Sequence, residues 1–285
     1  MKGLNNIGNT CYLNSGLQML IQNKELCNLI IKYSSSSHIL QTISKFIMEY
    51  YLPDSYPISP IEIKKIVEEK KDIFMGFEQQ DSTEFIIYLL DIIDEEILKT
   101  DPNCNGIKSI FGINFNITIK CKLRDCLSIH PINEINNFLL LDIDSECTSL
   151  DDAYRIYKKS DKLESDNKYF CSKCNDLRVA SKRSQIAIWP KYLIVWLKRY
   201  RQEGQRIMKN TQPITIPLEW RHNNILQGAV IHSGGLNGGH YIYVGKHTDD
   251  KWYIFNDSSV YEINSEQELN RMLSNAYWLC YKNKD

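Results

Sequence analysis

Apolar residues recur at helical spacing over roughly the first hundred positions and at strand spacing over the last hundred. Leu13, Leu17, Leu20 and Ile21 follow Thr10 and Cys11 and predict a helix starting at Cys11, with Thr10 as its N-cap. A second helical repeat covers about 38–51. Prolines 53, 57 and 60 make 51–60 a loop, and Ser59-Pro60 predicts the N-cap and first position of a helix over about 61–70. Asp81 and Glu84 have capping-box spacing. Behind them Ile86, Leu89, Leu90, Ile93 and Ile97 line one face of a helix reaching about Leu98.

From 107 the period shortens. Ile113, Phe115, Ile117 and Ile119 alternate with polar residues, the mark of a half-buried strand. A short strand (Phe138 to Ile143), a helix (about 149–158) and a polar loop (158–168) follow. Further strands are predicted at Ser184–Ile188, Tyr192–Lys198, Gly228–His232, His240–Lys246, Trp252–Asn256 and Tyr277–Tyr281. Gly234-Gly235-Leu236-Asn237-Gly238-Gly239 predicts a flexible loop leading into His240. The plan is α+β: a helical half carrying Cys11, a β half carrying His240, and a cysteine-paired insertion between them.

Composition narrows the function classes. With 285 residues, 43% of them hydrophobic, the chain can bury a sizeable core. A net charge of −1 supplies no field for nucleic acid or an anionic membrane. Residues 1–6 lack the apolar core of a signal peptide, and no apolar run approaches a membrane span, so a cytoplasmic or nuclear protein is expected. Nine cysteines, an odd number, suit a reducing compartment with thiols used for metal or catalysis. The abundance of Asn, Ile and Lys reads as coding bias.

The candidate chemistry begins at Asn6-Ile7-Gly8-Asn9-Thr10-Cys11-Tyr12. A thiol at a helix N-terminus faces free backbone N–H groups and the positive end of the helix dipole, both of which favour thiolate. A cysteine nucleophile needs a base and the base an orienting partner. His240 is the candidate base, and Asn256, ending an antiparallel neighbouring strand, is the candidate orienter, with Asp257 beside it. Asn6 has a side-chain amide able to donate to an oxyanion alongside the Cys11 N–H. Each residue also has a plainer reading: a buried free cysteine, a strand histidine, a turn, an Asx turn. Cys121-x4-Cys126 and Cys171-x2-Cys174 suit a tetrahedral zinc site, with four reduced thiols as the alternative. Gln79-Gln80-Asp81 reads either as a solvated helix cap or as a contact for a basic peptide tail.

Taken together, these residues resemble the ubiquitin-specific proteases. Gly3-Leu4-x-Asn6-x-Gly8-Asn9-Thr10-Cys11-Tyr12-x-Asn14-Ser15 is similar to that family's cysteine box. Gly234-x3-Gly238-Gly239-His240-Tyr241, with Trp252-Tyr253-x-Phe255-Asn256-Asp257-Ser258, resembles its histidine box. Gln79-Gln80-Asp81-x2-Glu84-Phe85 and the segment from Tyr169 to Tyr200 resemble two further motifs in the same order. The resemblance implies a papain-like cysteine protease core in a single catalytic domain over 1–285, with a helical thumb (about 1–105), β fingers (about 106–190) and an antiparallel β palm (about 191–285). It implies hydrolysis after the C-terminal glycine of ubiquitin. Cys11 is then the nucleophile, His240 the base, Asn256 the third triad member, Asp257 an assisting neighbour and Asn6 the oxyanion donor. Substrate contacts are expected at Gln80, Asp81, Gly238, Gly239 and Tyr241. Cys121, Cys126, Cys171 and Cys174 are the implied ligands of a structural zinc, and no cofactor is expected for catalysis. Ubiquitin or ubiquitinated proteins are the implied partners of a monomer. Three departures stand out: the wide spacing of the first cysteine pair, Trp189-Pro190 where Leu-Pro is usual, and Tyr200 in place of Phe. Rival readings are a protease for a related modifier, a non-catalytic ubiquitin-binding module and a zinc-ribbon adaptor.

Overall fold

In the computed structural model, which describes residues 1–203, 206–235 and 238–284, the C-terminal strands join into one sheet covered on both faces. Its order is Ser259–Glu262, Trp252–Asn256, Gly238–Lys246, Asn224–Gly235, Ala276–Asn283, Tyr192–Lys198 and Leu139–Asp142, with Glu219–Trp220 paired beside Asn224–Gly235. Neighbours are antiparallel except Leu139–Asp142 and Tyr192–Lys198, which run parallel. Burial on both faces explains the unbroken apolar run Tyr192 to Leu197. Tyr192 and Ile194 join Val230, Tyr243, Phe255 and Trp278 against the helices, while Leu193, Val195 and Leu197 face a second cluster with Ala229, Val244 and Leu279.

The helical face is covered by α1 (Cys11–Ile21), α2 (Lys24–Lys32), α3 (His38–Tyr50), α4 (Ile61–Lys70) and α5 (Ser82–Thr100). α1 packs between α5 and the Gly238–Lys246 strand and is buried along its whole length. A helix buried all round must satisfy its polar side chains internally. Gln18 Nε2 donates to Lys2 O and Gln18 Oε1 accepts from Tyr50 Oη, while Ser15 Oγ donates back to Tyr12 O. This packing sets the N-terminus of α1 beside the strand that carries His240.

Between the halves, Ile113–Cys121 pairs with Ile129–Asn136 on one side and Ala180–Ile188 on the other, with Asp161–Leu163 at the far edge. A small hairpin, Tyr169–Cys171 with Asp176–Arg178, presents the second cysteine pair. Among the described residues no helix is long and apolar enough to cross a membrane.

Several local expectations are corrected. Thr10 occupies the N-cap position but makes no cap; its Oγ1 accepts from Ile7 N instead. The cap position before α4 is Pro60 rather than Ser59, and no side chain caps it. The expected flexible loop at 234–239 is an extension of two paired strands, with Gly234 opposite Gly239 and Gly235 opposite Gly238; Leu236 and Asn237 lie outside the described residues. The polar stretch 158–168 includes the short strand Asp161–Leu163. The periodicity also passed over α2, the edge strand Ile129–Asn136 and the helix Glu266–Leu273.

Candidate active site

Cys11 is the first residue of α1 and only 4% exposed. Burial pushes its thiol above the ordinary value. The backbone N–H of Tyr241 faces the sulfur and opposes that shift, the charge of Asp257 adds to it, and the N–H groups of Tyr12 and Cys11 pull it down again. The helix N-terminus was expected to favour thiolate; in the assembled site desolvation is the larger effect. A thiol shifted in this direction needs a base if it is to act as a nucleophile. Its contact with Tyr241, the residue after His240, shows where a base can come from.

The Gly238–Lys246 and Trp252–Asn256 strands pair with Tyr243 opposite Phe255. Continuing that register puts Asn256 opposite Ile242, on the same face as His240 two residues away, a diagonal pair within side-chain reach. His240 Nε2 lies 2.7 Å from Asn256 Oδ1. An acceptor there holds the proton on Nε2 and leaves Nδ1 as the basic nitrogen.

Asn6 forms the Asx turn of its plainer reading. Its Oδ1 accepts from Gly8 N (3.1 Å) and Thr10 N (3.2 Å), an Asx turn that shapes the loop before Cys11. Its Nδ2 donates to Asp257 Oδ2 at 2.9 Å, leaving a second N–H. Gly8 has φ +111°, and a Cβ there would lie 2.6 Å from Phe77 Cδ1, so the loop needs glycine at that point. Asp257 has φ +49° and receives the Nδ2 of the buried Asn14 on Oδ1 at 2.7 Å.

On the other side of the site, Gln79 clasps the Gly239 peptide. Its Oε1 accepts from Gly239 N (3.0 Å) and its Nε2 donates to Gly239 O (3.3 Å). A groove of about 350 Å³ follows, lined among others by Gln80, Asp81, Trp196, Tyr200, Tyr241 and Tyr277. Asp81 caps α5 through Thr83 N (2.6 Å) and accepts from Tyr277 Oη (2.8 Å), so both carboxylate oxygens already have partners. Gly239 leaves no room for a side chain: a Cβ would overlap His232 Nε2 and come within 2.6 Å of Ser233 O, whereas at Gly238 nothing lies within 4 Å.

His232 supports this hairpin from beneath. It stacks on Tyr241 with ring centroids 4.2 Å apart, and its Nδ1 accepts from Tyr200 Oη (2.8 Å) and Lys209 Nζ (3.0 Å). Burial first, then the Lys209 charge, hold the imidazole down at about 4, so it is neutral at physiological pH.

In the insertion between the two halves, the sulfurs of Cys121, Cys126, Cys171 and Cys174 lie within 4.8 Å of one another, with Cys126 and Cys171 at 3.7 Å. Tetrahedral ligation at a Zn–S distance of about 2.3 Å requires sulfurs separated by roughly 3.8 Å. The four residues therefore fit zinc despite the wide first pair, because the turn at 122–126 folds Cys126 back to within reach of Cys171. Ser128 Oγ lies 3.2 Å from Cys171 Sγ and lowers that thiol, while hydrogen bonding with Cys126 pushes Cys174 up to about 12, so the four sulfurs share their protons as one cluster.

Residues 2–281 match the family model "Ubiquitin carboxyl-terminal hydrolase". The chain belongs to that family. Among its relatives in the ubiquitin carboxyl-terminal hydrolase family, Usp2 of Drosophila melanogaster is 26% identical over 330 residues, covering 98% of this chain and 34% of the fly protein. Probable ubiquitin carboxyl-terminal hydrolase 16 of Schizosaccharomyces pombe is 27% identical over 311 residues, covering 99% of this chain and 66% of its own length. The chain thus spans about a third to two thirds of these curated relatives. The fold matches the SAGA Ubp8/Sgf11/Sus1/Sgf73 DUB module bound to ubiquitin aldehyde, with a TM-score of 0.80 at 22% identity, over all of this chain and 70% of the other.

The structure brings together Cys11, Asn6, His240, Asn256 and Asp257, and sets Gln80, Asp81, Gly239 and Tyr241 around the adjoining groove. Asn14 and His232 make contacts at the site that the sequence reading did not assign, and Gln79, read as part of a polar cap or tail contact, holds the Gly239 peptide instead. Asn14 and Gln79 stand inside quoted motifs, but only tertiary contacts show what their amides hold.

Proposed function

We propose that this chain is a cysteine-type deubiquitinase that hydrolyses the bond after the C-terminal glycine of ubiquitin. The observation that carries this reading is the His240–Asn256 bond at 2.7 Å on a strand whose next residue, Tyr241, touches the Cys11 sulfur. The family, whose members are named for hydrolysis at the ubiquitin carboxyl terminus, supplies the substrate class.

The ubiquitin tail lies in the groove between the helices and the sheet and reaches Cys11 past the Gln79–Gly239 clasp. His240 Nδ1 takes the thiol proton as sulfur attacks the terminal carbonyl carbon. The free N–H of Asn6 and the Cys11 N–H receive the oxyanion, one such donor contributing about 3–4 kcal/mol at the transition state. The imidazolium, held by Asn256, returns the proton to the leaving lysine amine. Water, deprotonated by His240, then releases the acyl group. Asp81 and the aromatic walls of the groove favour a tail of basic and apolar residues. In the insertion, the four cysteines would hold a structural zinc, which would tie residues 121–126 to 171–174 and take no part in the chemistry. All of the site residues come from one chain, which supports a monomeric enzyme.

A ubiquitin probe carrying a C-terminal electrophile tests the proposal. It should form an adduct with the wild type and none with Cys11→Ala. Absence of the wild-type adduct, or an undiminished adduct on Cys11→Ala, would reject it. The same probe built on related modifiers reads out modifier choice.

A further inference from the structure

Asn14 joins the two halves of the site through a single amide. It lies one turn into α1 and is 2% exposed. Its Nδ2 is 2.7 Å from Asp257 Oδ1 and 3.3 Å from both Leu4 O and Asn5 O. The other oxygen of Asp257 is 2.9 Å from Asn6 Nδ2, and Asp257 O accepts from Leu4 N at 2.8 Å. Three acceptors around Nδ2 fix the amide's orientation, since a flip would set oxygen against oxygen. Asn14 Oδ1, meanwhile, is buried without a hydrogen-bond partner among the described residues. Helix packing alone gives no reason to tolerate an unsatisfied buried acceptor.

We propose that Asn14 is a positioning residue for the oxyanion site: acting through Asp257, it holds the Asn6 amide so that one N–H is bound to the carboxylate and the other stays available to the substrate oxygen. The inference rests on the catalytic reading of Cys11, His240 and Asn6 given above. The electrostatics support it. An unshared carboxylate beside a forming oxyanion would oppose it. With one amide donor on each oxygen, the Asp257 charge is dispersed and cannot turn to claim both Asn6 hydrogens.

The test is a double-mutant cycle on the full chain with a fluorogenic ubiquitin substrate. Asn14→Ala should lower kcat by about 10- to 100-fold with KM nearly unchanged, the loss expected of a misplaced oxyanion donor. Added to Asn6→Ala, it should cost less than about threefold more, because both changes remove the same interaction. Iodoacetamide alkylation of Cys11 needs no oxyanion donor and should stay within about twofold. If Asn14→Ala does not fold, Asp257→Asn breaks the same link at nearly constant volume and should show the same non-additivity. Losses that multiply with Asn6→Ala, or alkylation falling as steeply as hydrolysis, overturn the inference. A wild-type chain without turnover would instead remove the catalytic reading beneath it.

Discussion

Gly238 and Gly239 are adjacent and look interchangeable in the sequence, but the structure predicts opposite responses to alanine. At Gly239 a Cβ would collide with the His232 ring and the Ser233 carbonyl. The ring cannot swing away, being stacked on Tyr241 and bonded at Nδ1 by Tyr200 and Lys209. The hairpin must therefore move, which typically costs about 1–3 kcal/mol for an overpacked site. That movement also breaks the two Gln79 bonds to Gly239, worth at most about 1 kcal/mol each at this exposed position. The sum, about 1–5 kcal/mol, corresponds for a chain of 285 residues to a fall in melting temperature of roughly 2–8 °C. Because His240 is the next residue, a shift of about 1 Å should also lower kcat/KM on a fluorogenic ubiquitin substrate by about 100-fold. Gly238→Ala meets open space and should change stability by less than about 0.5 kcal/mol. Thermal unfolding and kinetics of the two variants side by side decide the matter. A Gly239→Ala chain with wild-type melting and activity, or equal damage from both, would refute the reasoning.

Asn256→Ala removes one neutral hydrogen bond to the His240 ring, about 1 kcal/mol, so kcat should fall roughly 5- to 10-fold with KM unchanged; steady-state kinetics check this, and a loss beyond about 1000-fold would mean that Asn256 does more than orient the ring. Metal analysis should find zinc in the purified wild type and little in Cys171→Ser, and zinc-free wild type would remove the metal reading. His232 is held neutral down to about 4 in the fold but takes up a proton near 6.5 when unfolded. The unfolded state therefore binds more protons between these values, and stability should fall as pH drops from about 6.5 towards 4, with a slope of at most about 1.4 kcal/mol per pH unit. Denaturant titrations across that window should show a flatter profile for His232→Gln.

The apolar period located the elements that bury a stripe: α1, the strand Ile113–Cys121 and the strands Tyr192–Lys198 and Trp252–Asn256. It passed over elements whose burial is slight. Ile129–Asn136 is an edge strand with nearly every residue exposed, so it has no buried face to betray a period of two. α2 buries only Leu26, Cys27 and Ile30, too narrow a stripe to stand out as a helical repeat. The motifs placed Cys11, His240 and Asn256 in one neighbourhood, and the strand register accounts for the His240–Asn256 distance. The protonation of Cys11 was illegible. A helix start argues for thiolate from local geometry, but burial under the sheet, a property of the whole fold, decides the direction.

Side-chain bonds across the seam join residues far apart in sequence: Asn6 and Asn14 to Asp257, Gln79 to Gly239, and Asp81 to Tyr277. Each contributes about 1 kcal/mol, less where exposed, so together they do not keep helices and sheet in contact. That cohesion comes from the apolar interface built on residues such as Trp278, Tyr243 and Phe255, where truncating a single large side chain costs about 3–5 kcal/mol. Under the proposed function the polar bonds instead align one half against the other, where a misplacement of about 1 Å would cost about 100-fold in rate. The division is separable by experiment. Gln79→Ala and Asn6→Ala should depress kcat while moving the melting temperature by only a few degrees, whereas Phe255→Ala should lower the melting temperature far more. A Gln79→Ala chain destabilised as much as Phe255→Ala would show that the clasp holds the halves together rather than aligning them.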